Sequence, residues 1–400
     1  MLRSDLLHRL ADLAVVVGAN VQPGQIVSVA ADLQQAELAR AVAESAYKRG
    51  AHYVDVLYFD PYVKRVRIAH AADESLSFVP DWYGHRLLSL GEERAARISL
   101  AGPTATGLLD DLDQDRAGRD QLPFIKEIMT VIAARTTNWT VVPCPAEPWA
   151  TLVYPELPPP EALDRLWNDV AHVCRLDEDD PVAAWNERAD RLTAAADRLN
   201  GHHFDALHFE GPGTDLMIGL LPSSTFHGAR DETVDGIVHL ANLPTEEVYA
   251  TPDPQRAEGR VRSTKPLVLG DGTIIRGLEV RFEGGRAVEI EAEQGGGVLR
   301  GRAAFDEGAA RLGEVALVDR ESRIGRLGTV FYDTLLDENA ASHIALGDGF
   351  DQGLREEDRA RRNRSSIHID FMIGSDEVVV TGLTSGGDRV PILRGGAWQI

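Results

Sequence analysis

The sequence predicts an α/β chain in two parts: an N-terminal parallel α/β domain over residues 1–200 and a β-rich α+β domain over 201–400. Three observations carry that expectation. Short apolar runs alternate with stretches of helical apolar spacing up to about residue 200, the pattern of βαβ units. Beyond that point come short strands separated by turn residues. At 400 residues the chain also exceeds what one hydrophobic core usually fills.

The elements follow in order. GQIVSVA at 24–30 reads as a strand, QAELARAVAESAYKR at 35–49 as a helix stopped by Gly50, and HYVDVLYF as a second strand. A helical stretch near 84–97, the strand AARISLAG, a helix near 120–135 and the strand TVVPCP at 140–145 repeat the alternation. Gly18 and Gly24 flank the first strand, but no G-x-G-x-x-G opens the helix after it, which argues against a dinucleotide site. PELPPP at 155–160 and LDEDDP at 176–181 punctuate helices at about 161–174 and 182–199, and Gly201 closes the last. From 203 onward FDALHFEG, LMIGLL, HLANLP, KPLVLGDGT, LEVRFEGGRAVEIEAE, EVALVD, GTVFYD, HIDFMIG and VVVTGL read as strands. Hairpin turns are expected at 270–272 and 283–285.

Composition narrows the function. Sixty-three acidic against 41 basic residues give a net charge of −22, which repels nucleic acid and anionic membrane. Cys144 and Cys174 stand far apart without a C-x-x-C spacing, so neither a disulfide framework nor a thiolate metal site is expected. No stretch reaches the ~20 apolar residues of a spanning helix, and Asp5, Arg9 and Asp12 interrupt the N-terminus where a signal peptide needs an apolar run. A cytoplasmic location is expected.

The second half gathers the chemistry. In SSIHIDFMIGS, 365–375, alternation puts His368, Asp370 and Met372 on one face and Ile367, Ile369, Phe371 and Ile373 on the other. An imidazole and a carboxylate facing inward need a cation, a hydrogen-bond network or water. Glu246 and Glu247 follow a strand, Glu314 enters one, and LLDENAASHIALGDGF holds Asp337, Glu338 and His343. Each alone has a plain structural reading, such as a solvated glutamate pair or a helix cap. Together they supply what two-metal hydrolysis requires: bridging carboxylates and terminal imidazoles. Oxygen and nitrogen donors suit zinc, cobalt, manganese or magnesium.

NLPTEEV, the GE of RLGEVALVD, LLDEN with HIALG, and NRSSIHIDFMIG, in this order, resemble the aminopeptidase T family of metallopeptidases, also called thermophilic metallopeptidases. GPGTDL at 211–216 and WTVVPCPAEPWA at 139–150 extend the likeness over most of the chain. The resemblance implies an exopeptidase that removes N-terminal amino acids from peptides with water activated by two divalent ions. It also implies a homodimer in which the N-terminal domain restricts access. By the same resemblance Glu314, His343, His368 and Asp370 fall on metal ligands, with a further ligand and a catalytic base drawn from Glu246 and Glu247. Spacing favours Glu247 as the ligand without separating the two. One departure stands out: where the family usually carries a tyrosine near the metals, this chain has Phe350, which packs but donates no hydrogen bond. Tyr249 and Tyr332 are the candidates to supply that hydroxyl, and Asn363 and Ser365 the candidates to orient His368 and Asp370. Two alternatives follow from the departure: a metal- or peptide-binding homologue with weakened turnover, or a metallohydrolase of another amide.

Overall fold

The computed structural model describes residues 3–109, 111–120, 122–123, 125–269 and 273–400, which form two compact units. One comprises 1–186 with 230–244, the other 187–229 with 245–400. The helix Pro181–Gly201 begins in the first and continues into the second.

The first unit is built on a four-stranded parallel sheet in the order Tyr53–Phe59, Ile26–Asp32, Ala96–Ala101, Trp139–Pro143. The helix Ala36–Lys48 crosses between the first two strands and buries Leu38, Ala39, Val42 and Ala46, the stripe its apolar spacing predicts. Asp60 caps an additional helix, Pro61–His70, by accepting from the N–H of Tyr62 at 2.8 Å. At the carboxyl ends of the central strands, where open α/β sheets bind ligands, side chains bond one another and the backbone, and Gln34 and Gln35 line a small pocket with Cys144 and Glu147. Thr104 donates to Asp32, Gln34 to the Thr104 carbonyl and Gln35 to the Ala101 carbonyl.

The second unit carries two large antiparallel sheets and the two-stranded pair Leu267–Val268 with Ile274–Ile275. An eight-stranded sheet runs in the order Arg286–Glu291, Glu279–Glu283, Pro252–Arg262, Thr214–Leu220, Phe204–Gly211, Val379–Thr384, Arg389–Arg394, Ala397–Trp398. A four-stranded sheet runs His368–Met372, His343–Gly347, Leu312–Val318, Glu247–Ala250. Every residue of Leu312–Val318 is buried, so this short sheet lies inside the unit.

Several boundaries differ from the sequence reading. The segment GTVFYD is no strand, because Gly328 and Tyr332 both take positive φ, 67° and 56°, which breaks an extended run. HLANLP contributes only its first residue, His239, to the short strand Val238–His239. The helix near 84–97 ends at Glu92, and Ala96 and Arg97 belong to the strand that follows. Lys126–Ala134 is shorter than the expected helix, and the expected turn at 270–272 lies outside the described residues. Among the described residues no helix is long and apolar enough to cross a membrane.

Two glycines shape the small sheet. Leu312 pairs with Leu346 but Glu314 with Ala345, so Gly313 is the extra residue of a β-bulge. A Cβ there would meet the Asp348 carbonyl at 2.2 Å. Gly347 sits at φ 111°, and its Cβ would lie 2.0 Å from the Ile367 carbonyl. Gly347→Ala is therefore expected to lower stability by about 2–4 kcal/mol, read as a fall in the denaturant midpoint; an unchanged midpoint would contradict this packing.

Candidate metal centre

The register of the four-stranded sheet decides which side chains meet. Glu314 pairs across to Ala345 and Ala345 to Asp370; Ala316 pairs to His343 and to Tyr249; Val318 pairs to Glu247; Gly347 pairs to His368. Directly paired residues share a face, and so do alternate residues along a strand. Glu247, Glu314, His343, His368 and Asp370 therefore all project from one face, one or two from each strand. Val315, Leu317, Ile344, Leu346 and Phe371 project from the other and are fully buried. The bulge at Gly313 sets Glu314 into this register, the kind of local re-aiming bulges provide beside functional sites.

The donor atoms converge. Ligating atoms of Glu247, Glu314 and His343 lie within 4.8 Å of one another, and so do those of Glu314, His368 and Asp370. His343 Nε2 stands 3.0 Å from Glu247 Oε2, and His368 Nε2 stands 3.1 Å from Glu314 Oε2 and 3.3 Å from Asp370 Oδ1. Glu314 Oε2 takes the hydrogen bond of His368, but Glu247 Oε2 and Asp370 Oδ1 are buried without a hydrogen-bond partner. Buried carboxylate oxygens left this way are costly unless a cation meets them.

Both imidazoles are aimed by backbone. His343 Nδ1 faces the Ala341 carbonyl at 3.2 Å and His368 Nδ1 the Asp348 carbonyl at 2.8 Å. A carbonyl only accepts, so Nδ1 carries the hydrogen and Nε2 is turned to the cluster, the arrangement of a metal-ligating histidine. Asn363 and Ser365 serve elsewhere. The Asn363 amide donates to the carbonyls of Gly308, Arg311 and Gly347, while Ser365 bonds Asp306.

The electrostatics describe a crowded site. Burial alone would lower the basicity of His343, but Glu247, then Glu314 and Asp370, outweigh it and push its pKa up to about 10. His368 is likewise driven well above the ordinary range, against its burial, by Asp370 and Glu314. Burial, and then the charges of Asp370 and Glu247, push Glu314 up despite the hydrogen bond from His368.

A residue outside the expected set joins the face. Glu338, at the end of the helix Thr334–Glu338, is pushed well above the carboxylate range by burial and then by Asp370 and Glu247, with Glu314 adding to the shift and His343 opposing it. Its neighbour Asp337 turns away, its carboxylate accepting from the N–H of Phe331 and Asp333, and burial raises it to about 7. In sequence the DEN triplet reads as a helix cap, yet the cap of this helix is Asp333. The one signal for Glu338 was an acid five residues before His343.

Glu246 is not on the face. It precedes the strand, points the other way, and its carboxylate accepts from Arg188 Nε at 2.5 Å. Glu247 alone of the pair reaches the donors. Tyr332 accepts from Arg276 at 3.2 Å. Tyr249 shares the donor face; its ring centroid lies 5.5 Å from that of Phe350, and its hydroxyl donates to Gln352 Oε1 at 3.4 Å. The Phe350 ring in turn lies 5.3 Å from His368.

The donor set defines the class first: carboxylates and imidazoles without thiolate, meeting on one buried face, fit a divalent-metal centre of the hydrolytic kind. The family model described as thermophilic metalloprotease (M29) matches residues 3–398, and the chain belongs to that family. It is 43% identical to "Aminopeptidase T" of Thermus aquaticus over 98% of both chains, and 37% identical to "Aminopeptidase 2" of Geobacillus stearothermophilus over 98% of this chain and 97% of that one. Its fold superposes on "Wild-type AmpT from Thermus thermophilus" with a TM-score of 0.92 at 41% identity, covering 99% of this chain and 100% of that one.

In the metal-free protein His343, pushed up to about 10, holds a proton at neutral pH, and the carboxylates around His368 shift it the same way, whereas a divalent ion requires a free Nε2. Ion uptake is therefore expected to release protons between pH 6 and 8 and to weaken as pH falls. Titration calorimetry in buffers of different ionisation heat measures this; uptake with no proton release and no pH dependence would contradict the protonation described.

Proposed function

We propose that this face holds two divalent ions, zinc, cobalt, manganese or magnesium, and that the chain uses them to remove single amino acids from the free N-termini of peptides. The observation that carries the reading is that Glu314 belongs to both donor triads. A carboxylate with one oxygen for each of two neighbours is what a paired site needs. Glu247 and His343 would complete one side, His368 and Asp370 the other. The activity class, a metal-dependent aminopeptidase, follows from the family and from relatives named as aminopeptidases along the whole chain. Those relatives favour an enzyme over a non-catalytic binder.

Ions held there supply Lewis acidity, which acidifies water and polarises a carbonyl. The remaining work falls to the chain. Glu338 stands outside both triads, half-buried beside Asp370, Glu247 and Glu314; with the charge of the ions offsetting those carboxylates it would be ionised, and so placed to take a proton from the attacking water and return it to the leaving amine. It takes the role of base that the sequence left between Glu246 and Glu247. His368, with 29% of its side chain exposed, marks the open edge, since the other donors of the triads are nearly closed off. Phe350 and Tyr249 wall that edge with aromatic surface.

A homodimer, the access role of residues 1–200 and a cytoplasmic location belong to the same reading. Light scattering on the eluted protein is expected to give twice the chain mass, and a monomer would remove the dimer from it.

Activity toward an aminoacyl-arylamide is expected to vanish on chelation and to return with cobalt, zinc or magnesium, while the N-acetylated substrate stays intact. Equal cleavage of both substrates would overturn the exopeptidase reading. Glu338→Gln is expected to lower kcat by about 10²–10⁴-fold with KM and metal content held; unchanged kcat would exclude the proton-carrying role.

A further inference from the structure

Behind the donor face lies a second polar cluster, closed to solvent. Arg188 is 2% exposed, Glu246 0% and Asp319 5%. Arg188 Nε donates to Glu246 Oε2 at 2.5 Å, and its two terminal nitrogens donate to Asp319 at 3.2 and 3.4 Å. Asp319 also accepts from Trp398 Nε1 and from the N–H of Glu321, both at 2.7 Å. Asn339 is fully buried as well. Its Oδ1 accepts from the N–H of Glu246 at 2.6 Å, and its Nδ2 donates to the Leu335 carbonyl at 3.0 Å and lies 3.5 Å from Glu338 Oε1.

A buried ion cluster is a poor device for stability alone, because apolar side chains of similar volume often serve as well or better. Its place in the chain is informative. Glu246 immediately precedes Glu247, and Asn339 immediately follows Glu338. Both acids have reason to drift. Glu247 is the first residue of an edge strand whose outer side is bridged at Tyr249 by His227, two residues further on, and its carboxylate faces others of like charge. Glu338 ends a helix of five residues, far below the length that is stable unaided.

We infer that Arg188, Glu246 and Asn339 form a positioning frame for the donor face. Arg188 grips the Glu246 side chain and also reaches its carbonyl at 3.4 Å, which pins the turn from which Glu247 is aimed. Asn339 ties the same turn to the helix end that presents Glu338. Strand alternation explains the division of labour: adjacent glutamates point to opposite sides, so one can be an anchor while the other is a donor. The frame rests on reading this face as the metal centre. Its three members act through Glu247 and Glu338 and are positioning residues.

The test uses the full-length protein, cobalt(II) and an aminoacyl-arylamide. Affinity is read from the visible absorption of bound cobalt(II) against a competing chelator, and folding from the melting temperature of the metal-free protein. Glu246→Gln and Asn339→Leu are each expected to weaken cobalt(II) binding by about 10–100-fold and to alter the absorption spectrum. Arg188→Met with Glu246→Met removes both members of the buried pair; Asp319 keeps its donors from Trp398 and Glu321. That double variant is expected to melt closer to wild type than Arg188→Met alone, yet to bind cobalt(II) as weakly as Glu246→Gln. A fold recovered without the affinity separates positioning from mere support. Wild-type affinity and spectrum in the folded single variants, or affinity recovered together with the fold in the double variant, would overturn the frame while leaving the metal centre standing. Failure of the wild-type protein to bind cobalt(II) or cleave the arylamide would instead remove the metal-centre reading and the frame with it.

Discussion

Carboxylates crowded on one buried face repel one another, and everything else in the second unit is arranged around holding them there. Glu247, Glu314, Glu338 and Asp370 share the face with only two imidazoles. In a low-dielectric interior that imbalance is expensive unless counter-charge arrives. Protons are the counter-charge the chain can recruit unaided, which is why His343 is held protonated up to about pH 10 and Glu314 and Glu338 resist ionisation. Divalent cations meet the same need more completely, and unpartnered oxygens of Glu247 and Asp370 are aimed where they would do so.

The architecture opposes that repulsion with covalent and packing constraints. Donors come from all four strands of a short sheet whose opposite face is packed apolar core, so no ligand can swing away without lifting a strand. The bulge at Gly313 and the left-handed Gly347 allow the backbones to approach closely enough for the register to bring Glu314 and Asp370 level. Carbonyls of Ala341 and Asp348 then set the ring orientations. The chain folds back through residues far apart in sequence, which is the ordinary way to concentrate like charges without placing them next to each other along one strand.

Much of this was legible before the fold was known. The alternation of HIDFM placed His368 and Asp370 together because period 2 is a local property of a strand. The parallel α/β character of the first unit followed from equally local periodicity. What escaped depended on tertiary context. Glu338 is indistinguishable from a capping acid until the helix is docked, and the strand Pro252–Arg262 is too charged to show itself, although it lies inside the large sheet. GTVFYD has strand composition but is bent by Gly328 and Tyr332. Glu246 and Glu247 could not be separated by spacing, since only the position of Arg188 tells which side of the turn is which. Phe350 was visible as a departure, while its packing against His368 and Tyr249 required coordinates.

The central claim is that a pair of cations neutralises this face, and anomalous diffraction from crystals grown with cobalt(II) or zinc(II) addresses it most directly. The expected result is two peaks roughly 3.5–4 Å apart, one among Glu247, Glu314 and His343, the other among Glu314, His368 and Asp370. Peaks elsewhere, or none at saturating metal, would contradict it.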